Sequence, residues 1–276
     1  MNYKRVLTIQ DISCVGQCSM TVALPILSAC GQETCILPSA VLSTHTGGFT
    51  GFTVRDLTDD FPGIQKHWQA EKISFDAIYT GYLGSVKQIG YVADIFNSML
   101  RDGGKIIVDP AMADNGKLYY GFDEKYVAAM RTLCAKADVV LPNITESSLL
   151  TGTEYREKYD EAYVNDQVDR LFALGAQNVI MTGVSYSENR TGVYVCEKDC
   201  RRYYEHEKIS RSYHGTGDIY SSAFTGCLVG GKDLFEAAAI AADYTVKCIA
   251  NTISDDAHWY GVKFESAIPY LVERLS

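Results

Sequence analysis

Short apolar runs bounded by turn residues alternate along this chain with longer stretches in which apolar positions recur every three to four residues. The runs at 6–9, 33–38, 76–83, 105–110, 138–141 and 178–182 predict strands. Most are apolar throughout rather than at alternate positions, the pattern of strands covered on both faces. The stretches at 19–30, 61–72, 86–101, 123–136, 143–150 and 165–174 predict helices, with Gly31 and Gly103-Gly104 placed to stop two of them. Strand and helix in turn mean βαβ crossovers and a mostly parallel sheet. Residues 191–196 and 201–207 read as a hairpin turning near 197–199, followed by helices at 218–229, 233–251 and from 264. With no repeat, linker or low-complexity tract, the pattern predicts one compact α/β domain over 1–276.

Against this frame one stretch is unusual: His214-Gly215-Thr216-Gly217-Asp218, which runs straight into small and apolar residues at helical spacing. Glycines before a helix leave its first N–H groups pointing outward, where the helix dipole favours an anion such as phosphate. Asp218 would repel that anion unless it had a task there. It is either a helix cap or a base that takes the proton from a hydroxyl attacking phosphorus. A second stretch, 43–52, interleaves three glycines with hydroxyls and aromatics and reads as a mobile surface flap carrying His45. A single histidine there fits a solvated or capping residue as well as a functional one.

Ligands of open parallel sheets bind beyond the carboxyl ends of the strands. The polar residues ending the predicted strands are Asp11, Tyr82, Asp109, Asn143 and Thr182, with Asp218 at the late helix. Each has a plain structural reading: Asn143 and Glu146 form a capping-box pattern, Asp109-Pro110 can simply stop a strand, and Asp114-Asn115-Gly116 is a turn. Taken together they supply the carboxylates and amide that order a magnesium ion through its waters beside nucleotide phosphates.

Composition narrows the classes. Lys and Arg number 25 against 34 Asp and Glu, a net charge of -9, and no basic cluster offsets it, so nucleic acid is not an expected partner. No apolar run reaches membrane-spanning length, and Gln10-Asp11 interrupts the first one too early for a signal peptide. Nine cysteines without a CxxC pair read as free thiols in a reducing, cytoplasmic setting.

His45-Thr46-Gly47, Thr80-Gly81-Tyr82, Asp109-Pro110 with Asp114-Asn115-Gly116, Pro142-Asn143-x-x-Glu146 and Gly215-Thr216-Gly217-Asp218 occur in this order. In that set the chain resembles the pyridoxal kinases of the ribokinase-like superfamily. The resemblance implies a three-layer α/β/α sandwich without a separate lid domain, and ATP-dependent phosphorylation of the 5′-hydroxymethyl group of pyridoxal, pyridoxamine or pyridoxine. It makes Asp218 the base, with Gly215, Thr216 and Gly217 forming the anion hole. Asp109 and Glu146 would hold Mg²⁺ through water; Asp114, Asn143, Glu146, Thr182 and Thr216 would serve ATP; His45, Thr46 and Tyr82 would line the vitamer pocket. It also implies a homodimer and leaves a monovalent cation open. The family's Gln-Ser after the first strand is Gln10-Asp11 here, which shifts ring recognition to Asp11 or Ser13. The nearest alternative is a hydroxymethylpyrimidine or hydroxymethylpyrimidine-phosphate kinase, whose Gly-Thr-Gly turn typically ends in cysteine. A nicotinamide dehydrogenase lacks support, because no Gly-x-Gly-x-x-Gly follows the first strand. A non-catalytic vitamer-binding protein would have no use for Asp218 and the metal-ordering acids together.

Overall fold

The computed structural model describes residues 3–209, 211 and 213–275. Its strands are β1 (Arg5–Ser13), β2 (Glu33–Leu42), β3 (Val54–Asp56), β4 (Phe75–Thr80), β5 (Leu100–Val108), β6 (Ala113–Asp114), β7 (Lys117–Leu118), β8 (Val139–Val140), β9 (Val179–Ser187), β10 (Arg190–Glu197) and β11 (Cys200–Glu207). The α-helices are α1 (Met20–Ala29), α2 (Phe61–Ala70), α3 (Val86–Met99), α4 (Glu124–Cys134), α5 (Ile144–Thr151), α6 (Glu161–Leu174), α7 (Thr216–Val229), α8 (Leu234–Thr252) and α9 (Ile268–Leu275).

Nine strands form one sheet in the order β11-β10-β9-β8-β5-β4-β1-β2-β3. The six from β9 to β2 pair in parallel, while β3 and the β9–β10–β11 ribbon run antiparallel at the two edges. Side chains of a strand alternate between faces, and here both faces are buried. Leu7, Ile9, Ile78 and Val108 enter the core shared with α2 to α6, whereas Val6, Ala77, Tyr79 and Ile107 enter the one shared with α1, α7, α8 and α9. Each fully buried Leu or Ile contributes about 1.5–3 kcal/mol of transfer free energy. The uninterrupted apolar runs of the sequence follow from this double coverage, and the architecture is the expected three-layer α/β/α sandwich.

Several boundaries differ from the sequence expectation. β1 does not stop at Ile9 but continues to Ser13 past a register shift between Gln10 and Ile12, where β2 carries one residue more and Ser39 and Ala40 stand opposite Asp11. Bulges of this kind re-aim side chains next to functional sites. α6 starts at Glu161 rather than 165, because the Asp160 side chain accepts from the N–H of Tyr163 and caps it. The edge strand β3 and the β6–β7 hairpin are too short to leave a periodic signal. No described helix is long and apolar enough to cross a membrane.

Candidate active site

α7 begins at Thr216, two residues earlier than its apolar spacing predicts, because Gly215 takes the N-cap position in the left-handed region at φ 79°. A Cβ on residue 215 would overlap the carbonyl oxygen of Gln17, so both conformation and space require glycine there. No side chain caps this helix, and its first N–H groups are left for a ligand. Asp218 stands at the third helical position. Its Oδ2 accepts from the backbone N–H of Ser19, 2.9 Å away across the β1–α1 loop, rather than from its own helix. The capping reading of Asp218 therefore falls.

Facing this helix start is a cleft of about 130 Å³ at the carboxyl ends of β5 and β8, beside Thr182 within β9. Of the expected residues it brings together Asp109, Asn143, Glu146, Thr182, Gly215, Gly217 and Asp218, and it adds Ala111, Tyr119, Leu141 and Ser221. Asp109 follows β5 and is buried; its Oδ2 accepts from Ser221 Oγ at 2.6 Å and its Oδ1 from the N–H of Ala111 at 3.1 Å. Glu146 accepts from the N–H groups of Met112 (3.0 Å) and Asn143 (2.9 Å), while Asn143 Oδ1 accepts from the N–H of Glu146 at 2.8 Å. The capping box is thus real, and the same two residues line the cleft wall.

Electrostatically the cleft is an acid cluster with no lysine or arginine among its lining residues. Burial pushes the Asp218 carboxyl up to about 7, and the nearby charges of Asp109 and Asp11 push it the same way, against the Ser19 N–H. Burial also raises Asp109, and burial together with Asp109 raises Glu146. Such displaced carboxyls make the cleft a candidate for handling a cation or a proton.

Other expected site residues lie elsewhere. Asp114 is exposed on the β6–β7 hairpin and accepts from Asn115, outside the cleft lining. Thr216 turns its hydroxyl back to the carbonyl of Tyr213, 3.3 Å away. Ser13 is buried and donates to Asp11 Oδ2 at 2.9 Å, so its hydroxyl is spent inside the protein. Asp11 itself is buried, with its carboxyl raised by desolvation. Tyr82 is half-buried, stacked on Phe122 at 5.4 Å and near enough to Asp11 and Asp56 for their charges to raise its phenol further after burial. Thr46 is exposed on the flap. His45 has both ring nitrogens engaged: Nδ1 accepts from the N–H of Gly47 at 3.1 Å, which leaves Nε2–H to donate to the carbonyl of Tyr260 at 2.6 Å. With its pKa lowered by burial it is a neutral scaffold residue, not a free hydrogen-bonding group.

Sequence reasoning missed Ser221 and the backbone N–H of Ser19. Ser221 lies three residues beyond Asp218 and so on the same helix face, which is a usable signal. Ser19 is recognisable only from the fold, since it combines φ 53° with a bridge to Ile12.

A glycine-opened helix facing an acid at the strand ends of a parallel three-layer sandwich defines a ribokinase-like kinase. The phosphomethylpyrimidine kinase family matches residues 26–262, and the chain belongs to that family. Among solved structures, a Bacteroides thetaiotaomicron protein provisionally described as a phosphomethylpyrimidine kinase, crystallised with pyridoxal, is 36% identical with a TM-score of 0.91 over 98% of this chain and 96% of its own. Pyridoxal kinase from Lactobacillus plantarum is 32% identical with a TM-score of 0.91, covering 98% and 97%. The hydroxymethylpyrimidine/phosphomethylpyrimidine kinase of Bacillus subtilis is 27% identical over 78% of each chain.

Proposed function

We propose that the protein phosphorylates the 5′-hydroxymethyl group of a B6 vitamer at the expense of ATP. The observation that carries this reading is Asp218: an acid in the third position of an uncapped helix, held by the Ser19 N–H and aimed into the cleft rather than at its own backbone. The likeness to a pyridoxal kinase and to a pyridoxal-bound relative supports the substrate class. An acid at 218, rather than cysteine, favours a B6 vitamer over hydroxymethylpyrimidine.

In this reading the helix N–H groups at 215–218 receive the transferring phosphoryl group, and Asp218 takes the proton of the attacking hydroxyl as the P–O bond forms. The remaining work is positioning and charge neutralisation. Asp109 and Glu146 fit a Mg²⁺ ion held through water: they are neighbouring buried carboxylates without a basic partner in the cleft, and their oxygens already accept backbone or hydroxyl donors. The ion would neutralise the nucleotide phosphates there. Asn143 and Thr182 line the side where ATP would lie. Residues 1–276 would act as a single kinase domain; the resemblance supports a homodimer, and the free cysteines suit a reducing, cytoplasmic setting.

Purified protein with ATP and Mg²⁺ is expected to phosphorylate pyridoxal, pyridoxamine or pyridoxine faster than 4-amino-5-hydroxymethyl-2-methylpyrimidine in a side-by-side assay. Faster turnover of the pyrimidine overturns the substrate reading, and vitamer binding without ATP consumption overturns the kinase reading. Because Asp218 must be unprotonated to act and its carboxyl is raised to about 7 in the free protein, kcat/KM for the vitamer is expected to rise with pH across neutrality and level off on the alkaline side. A flat profile from pH 5 to 8, at constant nucleotide and metal saturation, would argue against Asp218 as the base.

A further inference from the structure

The flap read from the sequence as mobile is clasped on both sides, and its two adjacent glycines show how. A Cβ on Gly47 would come within 2.5 Å of the His214 ring, and one on Gly48 within 2.8 Å of the Trp259 ring. The aromatic rings lie directly on the flap backbone. His214 immediately precedes the Gly215 turn, and its ring is 5.4 Å from that of His45. His45 meets Phe49 edge-on at 5.0 Å, and Phe49 meets Trp259 at 4.7 Å. A continuous row of rings therefore runs from the anion-binding turn, through the flap, to the loop after α8.

That loop is also anchored outside the row. His258 Nε2 lies 2.9 Å from Gln17 Oε1, and Gln17 Nε2 donates to Glu265 at 2.7 Å. The Tyr260 carbonyl holds His45 from below. Trp259 itself is 44% exposed, whereas Gln17, His258 and Tyr260 are half-buried, so its placement follows from what it covers and not from core packing. We propose that Trp259 is a positioning residue that seats flap residues 45–49 against the substrate ring and so sets affinity for the aromatic heterocycle without touching the reacting atoms. This rests on the kinase reading above and extends it to a loop that carries none of the family motifs.

Removing the indole uncovers Gly48 and Phe49, so the flap loses its seat while α7 and the acid cluster keep theirs. W259A is expected to raise KM for the vitamer about tenfold, with kcat and KM for ATP changed by less than about twofold. W259F, which restores an aromatic face, should recover most of the loss. In a W68F background Trp259 is the sole indole, and its emission should change on titration with pyridoxal in the absence of ATP. Equal damage to kcat and both KM values, an unchanged vitamer KM, or no recovery in W259F overturns the proposal. If W259A proves too unstable to assay, an unresponsive Trp259 emission in the W68F protein overturns it on its own. Weakened binding of 4-amino-5-hydroxymethyl-2-methylpyrimidine in W259A, together with failure to phosphorylate any B6 vitamer, would uphold the clasp and sink the vitamer assignment.

Discussion

Asp218→Asn is expected to lower kcat by about 10³-fold, the scale of losing a positioned general base, while leaving ATP and vitamer binding nearly intact. Asparagine has the same shape and keeps an oxygen that can accept from the Ser19 N–H, so the β1–α1 loop and the start of α7 should stay in place. Only the proton acceptor is lost. The same change should affect stability in the opposite sense. Asp218 has its carboxyl raised to about 7 in the folded protein, against about 3.9 in an unfolded chain. Between those values the folded state holds the proton more tightly, so this group's contribution to stability is full at acid pH and is lost as pH rises toward and through 7. The ligand-free variant should therefore be more stable than wild type at pH 8, by on the order of 1 kcal/mol, and indistinguishable from it near pH 4. Denaturant titration at the two pH values, beside steady-state kinetics, checks both halves. A variant that is inactive and also destabilised at pH 8 would make Asp218 a structural residue.

Such opposition between stability and activity is the mark of a site assembled against local preference, and it bears on what could be read from the sequence. The sheet was legible because burial on both faces writes strands such as Ile106-Ile107-Val108 as plain apolar runs. Asp109 and Asn143 were legible for the same reason, since the end of an apolar run marks the end of β5 and of β8; Thr182 was found by the same rule, although β9 continues past it to Ser187. What was not legible depends on pairings between distant segments. The bulge that carries β1 past Asp11 is set by β2, the turn at Ser19 by its bridge to Ile12. His45 was visible in the flap, but not its partner: its ring is fixed by the Tyr260 carbonyl 215 residues further on. The glycines at 47 and 48 were read as freedom of motion; they are spaces filled by the rings of His214 and Trp259. Local sequence reports the need for glycine at such positions but not which distant side chain creates it.

The two glycines of the helix turn make the same distinction measurable. Gly215→Ala is expected to destabilise the protein by about 2–4 kcal/mol and to cut kcat by about 10²-fold or more. A left-handed conformation at φ 79° costs an L-residue about 1–2 kcal/mol, and the added methyl overlaps the Gln17 carbonyl. Gln17 cannot step aside cheaply, because its side chain is tied to both Glu265 and His258. Relief must come from the loop as a whole, which would carry Ser19 and its hold on Asp218 with it. Gly217→Ala should behave differently. A Cβ there meets no protein atom within 4 Å, and alanine suits a helix better than glycine by about 1 kcal/mol, so thermal stability should be kept or slightly raised. Gly217 nevertheless lines the cleft, and its methyl would occupy space next to the anion. An increase of about tenfold in KM for ATP at unchanged stability is the expected result. If Gly217→Ala retains full activity, the phosphoryl group does not approach that turn of backbone; if Gly215→Ala is as stable as wild type, the close approach of Gln17 to the helix start is not what requires glycine there.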